Sequence, residues 1–172
     1  LALKQIEAKN PSLENKEAVA HAVGVGAVIF HDLKNDRTNN FDFALEEVVQ
    51  FEGETGPYVQ YTHARAMSIL RKANHTVDTK EAFSLTDDDA WEVLKLIENY
   101  PNVVRFAEEK CEPSAIAKFV INLAQAFNKY YAHTKVLVED EAFNSRIALV
   151  QTTASILKQG LALLGVAAPD EM

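Results

Sequence analysis

Apolar residues return at three- and four-residue intervals along most of this 172-residue chain, and no stretch alternates apolar with polar residues long enough to make a half-buried strand. The pattern predicts an all-α protein. Ile116, Phe119, Val120, Leu123, Phe127 and Tyr130 mark one helix, and Phe143, Ile147, Val150, Ala154, Leu157, Leu161 and Leu164 mark another, both as core stripes of a packed bundle. Glycine and proline punctuation then sets the bounds. Helices are expected over 15–34, 42–50, 57–73, 87–99 with Thr86 as cap, 101–111, 113–135 and 141–164, the last closed by Gly165. The opening run Leu1 to Lys9 is helical in pattern too, and a start at Leu1 inside such a pattern reads as a piece of a longer protein. The Gly-containing turn 52–56 ahead of Pro57 divides the chain into 1–56 and 57–172.

Composition narrows the class. Apolar residues make up 48% and charged residues 24%, which is an ordinary globular balance. One cysteine, Cys111, allows no internal disulfide and points to a reducing compartment, so the cytoplasm is expected. The longest run of apolar residues and glycine, Ala22 to Phe30, is nine residues against about 20 for a membrane span. A net charge of −8 argues against coating nucleic acid by bulk charge. Yet the chain is divided: 57–77 holds Arg65, Arg71 and Lys72 with no acidic residue, and 113–138 holds Lys118, Lys129 and Lys135, again with none. An acidic body with two acid-free segments suits a polyanion docked on one face, or equally two solvated helix faces.

Most motif-like features have bland explanations. Gly24-Val25-Gly26 lacks a preceding strand and a third glycine, so close helix packing explains it better than phosphate binding. The turn at Gly53–Gly56 has no following Lys-Ser/Thr and is no P-loop. The five histidines never take the spacing of a zinc protease, and no metal is expected. Cys111 has no base partner, Asp87–Asp89 are what a helix start favours, and Trp91 with Leu94 and Ile97 reads as core.

The segment 57–65 behaves differently. On a helix opened by Pro57, the residues Tyr58, Tyr61, Arg65 and Lys72 fall along one side at offsets of 3, 7 and 14, with Val59, Ala66, Ile69 and Ala73 toward the other. A similar group, Asn128, Tyr131, His133 and Lys135, ends the helix over 113–135. Rings that stack unpaired bases beside cations that neutralise phosphates are the elements of single-stranded RNA recognition. The spacing leaves a second reading open, in which the rings bury themselves in the bundle and only their hydroxyls face outward.

The run Phe51-Glu-Gly-Glu-Thr-Gly-Pro-Tyr-Val-Gln-Tyr-Thr-His-Ala-Arg65 resembles the join between catalytic and anticodon-binding domains of arginyl-tRNA synthetases. Three further pieces resemble that family in the same order: Val23–Val28 with Asp32, Leu33 and Arg37; Phe127–Tyr131 with Val136 and Leu137; and Gly160–Gly165 through Pro169–Met172. The resemblance implies a helical anticodon-binding domain over 57–172, preceded by helices from the end of a catalytic domain over 1–56. It implies a parent enzyme, monomeric, that joins arginine to its tRNA using ATP with Mg. Neither the HIGH-type tetrapeptide nor a counterpart of the KMSKS loop is present, so this segment by itself is expected to hold no cofactor and to catalyse nothing. Carried over by position, Tyr58, Tyr61, Arg65, Tyr131 and Met172 are the residues facing the anticodon stem-loop of arginine tRNA, with Lys72, Asn128 and Lys135 beside them. Lys135 stands where some members carry an aromatic residue. Neither DNA nor a membrane is implied as partner. The alternative is a helical protein-interaction module derived from a synthetase.

Overall fold

Seven α-helices and no strand make up the computed structural model, which describes residues 1–172. They are α1 (Ala2–Lys9), α2 (Lys16–Leu33), α3 (Leu45–Val48), α4 (Gly56–Ala73), α5 (Asp88–Lys110), α6 (Ser114–His133) and α7 (Phe143–Leu163). The all-α expectation holds. The centre of the bundle is α7, which buries not only its apolar stripe but also Asn144, Ser145, Arg146 and Thr153. Helices α4, α5 and α6 surround it, and α2 packs against α4. All six residues expected to face the core from α6 are buried, and so are Ile147, Val150, Ala154, Leu157, Leu161 and Leu164; Phe143 is half-buried.

Small residues set the closest approaches. A Cβ on Gly160 would stand 2.4 Å from Cγ1 of Val120, so α6 and α7 touch there only because Gly160 has none. Gly26 does the same between α2 and the start of the C-terminal tail, facing Gln60 and Val166 at 2.9 Å each, so close packing explains Gly26, whereas a Cβ on Gly24 would meet only Ala2 at an ordinary 3.8 Å. The Gln60 amide completes that junction by donating to the carbonyls of Ala167 at 2.7 Å and Ala22 at 3.4 Å.

Three expectations fail at α5. Pro101 does not open a new helix but lies inside one of 23 residues. It deletes the bond to the Ile97 carbonyl, an interior break costing about 3 kcal/mol. The offset is tertiary: Leu94, Ile97, Tyr100, Val103, Val104 and Ala107 pack along the main core on both sides of it. The cap is Asp87 rather than Thr86, its carboxylate accepting from the Ala90 N–H at 2.7 Å. Trp91 stands at 59% exposure and is no core residue: the helix buries Ala90 and Val93, and Trp91 lies along an open apolar groove with Leu94 and Ile97. The helix ends on Cys111 in the left-handed region at φ 49°, with Glu112 N–H closing back on the Ala107 carbonyl at 2.8 Å. Helix α7 ends the same way, with Gly165 at φ 71°.

Buried polar groups fasten the connections. The Asn144 side chain accepts from the Asp78 N–H at 2.9 Å and donates to the Asp78 carbonyl at 3.0 Å, tying the α4–α5 connection to α7. Arg146, almost buried, donates to the carbonyls of Val136 and Val138 and to the Asp140 carboxylate at 2.8 Å, which fixes the α6–α7 connection. No helix is long and apolar enough to cross a membrane.

Candidate nucleic-acid interface

Helix α4 takes its register from Thr55, whose hydroxyl caps the Tyr58 N–H at 3.1 Å, and from Pro57 in the first turn. With that register Tyr61, Arg65, Ser68, Arg71 and Lys72 share one flank. Helix α6 brings Tyr131 beside them, the α6–α7 connection brings Leu137, and the C-terminal tail brings Glu171 and Met172. Together with Asn10 and the backs of Ala64 and Ile69 they line one open concavity of about 380 Å³.

Arg65 is its centre. Its guanidinium carbon stands 4.9 Å from the Tyr61 ring centroid and 5.7 Å from that of Tyr131, so one cation bridges rings on two helices. Below it, Asn128 accepts from the Arg65 guanidinium and donates to the Tyr58 hydroxyl at 3.0 Å and the Thr62 hydroxyl at 2.9 Å. Every hydrogen-bonding direction of that amide but one lone pair is thereby used inside the protein.

The three tyrosines therefore differ. Tyr58 is half-buried against the main core with its hydroxyl engaged. Tyr61 packs edge-on to Phe51 at 5.9 Å, with Lys9 of α1 5.3 Å from its centroid. Tyr131, at 41% exposure, is the ring most open to solvent. Its neighbour Tyr130 is fully buried with an unpartnered hydroxyl, which burial pushes far above the usual phenol range.

Of the residues singled out from the sequence, Tyr61, Arg65, Lys72, Tyr131 and Met172 line the concavity, while Tyr58 and Asn128 underlie it. Lys135 is exposed and outside the lining. The other cations of the acid-free segment 113–138 disperse: Lys129 pairs with Asp89 at 2.7 Å, and Lys118 lies along a different groove with Phe106 and Asn122. That pairing, with His133 added at 2.6 Å, holds the Asp89 carboxyl below its ordinary range. Lys9, Asn10 and Ser68 were not foreseen. Ser68 could have been found, three residues beyond Arg65 on the same flank, whereas Lys9 and Asn10 arrive from a helix nearly fifty residues upstream.

The tail is fastened to this face. Arg71 donates to the Asp170 carbonyl at 3.2 Å and pairs with Glu171 at 3.3 Å, and Asn10 donates to the Met172 carbonyl at 3.3 Å. Met172 packs with Tyr61 against the small cluster of Ala2, Ile6, Leu13, Val23 and Phe51. No group of three or more His, Cys, Asp or Glu side chains is arranged to hold a metal ion.

The fold has known counterparts. Residues 59–172 match the DALR anticodon binding domain, and residues 1–45 match the catalytic domain of class I tRNA synthetases of the R type. The arginine–tRNA ligase of Enterococcus faecalis is 64% identical over 172 residues, and that of Streptococcus equi 60% over 171. Among solved structures, arginyl-tRNA synthetase from Thermus thermophilus superposes with a TM-score of 0.92 at 36% identity. That from Plasmodium falciparum does so at 0.88 and 26%. Each match covers 99% or more of this chain, but the chain spans only 30–31% of the length of those relatives. On the match over residues 59–172, an all-helical fold and whole-chain similarity to arginine–tRNA ligases, this chain belongs to the DALR anticodon binding domain family.

Proposed function

We propose that residues 57–172 bind the anticodon stem-loop of arginine tRNA, as part of a monomeric arginine–tRNA ligase whose remaining length supplies the chemistry, and that residues 1–56 close the catalytic body. The observation that carries this reading is the Tyr61–Arg65–Tyr131 arrangement with Lys72 and Met172 in one concavity. A splayed base stacks on Tyr131 and another displaces a cation from Tyr61, at roughly 1–3 kcal/mol per stacked base, while Arg65 and Lys72 meet phosphates. Tyr58 and Asn128 act from beneath by fixing Arg65, and Lys135 contributes from the edge as a long-range cation.

ATP with Mg belongs to the parent's reaction and not to these residues. The two phosphate-binding motifs of class I synthetases are absent from the 172 residues, so no step of arginine activation is assigned to them.

The test is a titration of this chain with arginine tRNA at low and moderate salt, beside the same tRNA with its anticodon replaced. The reading requires discrimination between the two that weakens with Tyr61→Ala or Tyr131→Ala. Equal binding of both by a folded chain rejects autonomous anticodon reading.

One observation favours a second reading, a protein-binding module. Phe83, Leu85, Trp91, Leu94, Ile97 and Leu149 line an apolar groove that shares no residue with the tyrosine face. Capture of a partner without tRNA, unaffected by Tyr61→Ala, would support it.

A further inference from the structure

His63 lies on α4 two residues before Arg65, and at 1% exposure it is among the largest fully buried side chains. Its Nδ1 stands 3.1 Å from the Ala154 carbonyl oxygen of α7, and its Nε2 stands 3.0 Å from Oδ1 of Asp170 in the tail. A neutral imidazole has one N–H and one bare lone pair. Here both nitrogens face oxygens that only accept, so a neutral ring would aim a lone pair at one of them.

Moving the missing proton to Asp170 does not resolve this. The same Oδ1 also receives the Lys158 ammonium at 3.2 Å, and a half-exposed carboxyl beside a lysine cation stays ionised. The bonds from His63 first, then Lys158, hold the Asp170 carboxyl below its ordinary range, against the opposing effect of burial.

We propose that His63 is held as the imidazolium and, paired with Asp170, is the positioning group that seats residues 166–172, and with them Met172, against Tyr61 and Arg65. The functional half of this rests on the RNA-reading role proposed for that face; the protonation state and the clamp do not.

A buried cation is costly unless it is paired and hydrogen-bonded on all its donors, and this one is. A buried ion pair is weak evidence of stability, and its best-attested use is to specify one arrangement over others. The arrangement specified here is the path of the tail. Val166 wedges against Gly26, the Ala167 carbonyl takes Gln60, and Asp170 takes His63 and Lys158. Arg71 then holds the Asp170 carbonyl and Glu171, leaving Met172 beside Tyr61. His63 is the one member of this series that is buried and charged, so it fixes depth as well as direction. The charged groups around the pair are Lys158 on α7, Arg71 on α4 and Glu171 in the tail; the two cations disfavour a third positive charge, and Asp170, in direct contact, outweighs them.

The test uses the full chain with labelled histidine nitrogens and methionine methyls at neutral pH. The proposal expects both ring nitrogens of His63 to carry protons, and the Met172 methyl to show contacts with the Tyr61 ring. In Asp170→Asn, altered only at a half-exposed side chain, one of those protons is lost, the methyl contacts disappear, and stem-loop affinity falls by about tenfold. His63→Gln, which has no charge to pair, gives the same loss of tail contacts. A single protonated nitrogen in the unaltered chain, or Met172 contacts that survive Asp170→Asn, overturns the proposal. If the unaltered chain binds no stem-loop at all while the imidazolium and the tail release are both seen, the clamp stands and it is the RNA reading that fails.

Discussion

The Arg65 guanidinium of α4 donates to Oδ1 of Asn128 on α6, and this bond holds the cation at the height where it bridges the rings of Tyr61 and Tyr131. Neither residue is placed by its own helix alone. Arg65 is a flexible side chain that gains one defined position, and Asn128 gives up its outward hydrogen bonds to supply it.

Asn128→Ala is therefore expected to destabilise the fold by about 1–3 kcal/mol, since it leaves the half-buried hydroxyl of Tyr58 and the buried hydroxyl of Thr62 without a donor. It should weaken RNA binding further by freeing Arg65, whereas Tyr58→Phe, which removes one acceptor, costs less on both counts. Denaturant unfolding and stem-loop titration of the two variants check this, and equal effects would mean that Asn128 does not order Arg65.

Cations and rings should separate by salt. Lys72 is exposed at the rim and Tyr131 presents a ring. Lys72→Ala should lower the slope of log K against log salt by about 0.7 for single-stranded RNA and matter little at high salt. Tyr131→Ala should cost about 1–3 kcal/mol at every salt concentration. Titrations across a salt series distinguish the two; parallel slopes would rule out a phosphate contact at Lys72.

Packing at the centre offers a test independent of RNA. The Cβ of Gly160→Ala would fall 2.4 Å from a methyl of Val120, a buried side chain with one favoured rotamer in a helix, so α6 and α7 must part. A loss of about 1–3 kcal/mol is expected. Val120→Ala in the same chain restores room, and the double variant should be more stable than the sum of the two single losses predicts. Strict additivity in thermal unfolding would show that the two positions do not touch.

Acid should release the α6–α7 connection. Arg146 first, then the Ala142 N–H, hold the Asp140 carboxyl below its ordinary value, so its folded pKa is lower than its unfolded one. The stabilisation is then complete above the unfolded value of 3.8 and disappears as pH falls through the depressed folded value. Asp140→Asn should be less stable than the unaltered chain at neutral pH and equal to it once the pH has fallen below the depressed folded value. Unfolding curves collected from pH 7 downward measure this, and a difference that persists undiminished in acid would assign the effect to packing.

What the sequence determined by itself was everything that repeats along one helix. The stripes of α6 and α7, the opening of α4 at Pro57, and the grouping of Tyr61, Arg65 and Lys72 follow from a 3.6-residue period and from which residues can open a turn. The resemblance over 51–65 was legible for the same reason, since it too is a local run. What only the tertiary structure decided was set by contacts between helices. Local rules end a helix at Pro101, but the core on both sides outweighs one missing hydrogen bond, and the chain continues. Local rules bury Trp91, but the bundle packs on Ala90 and Val93 and leaves Trp91 in solvent. Charge counted along the chain gathers six cations, while folding pairs Lys129 with Asp89, sends Lys118 elsewhere, and brings Lys9 from α1 to the Tyr61 ring. Most of all, two tyrosines three residues apart on one helix read alike in sequence. Asn128, seventy residues away from Tyr58, makes that ring a support, while Tyr61 lines a concavity together with Met172 of the tail.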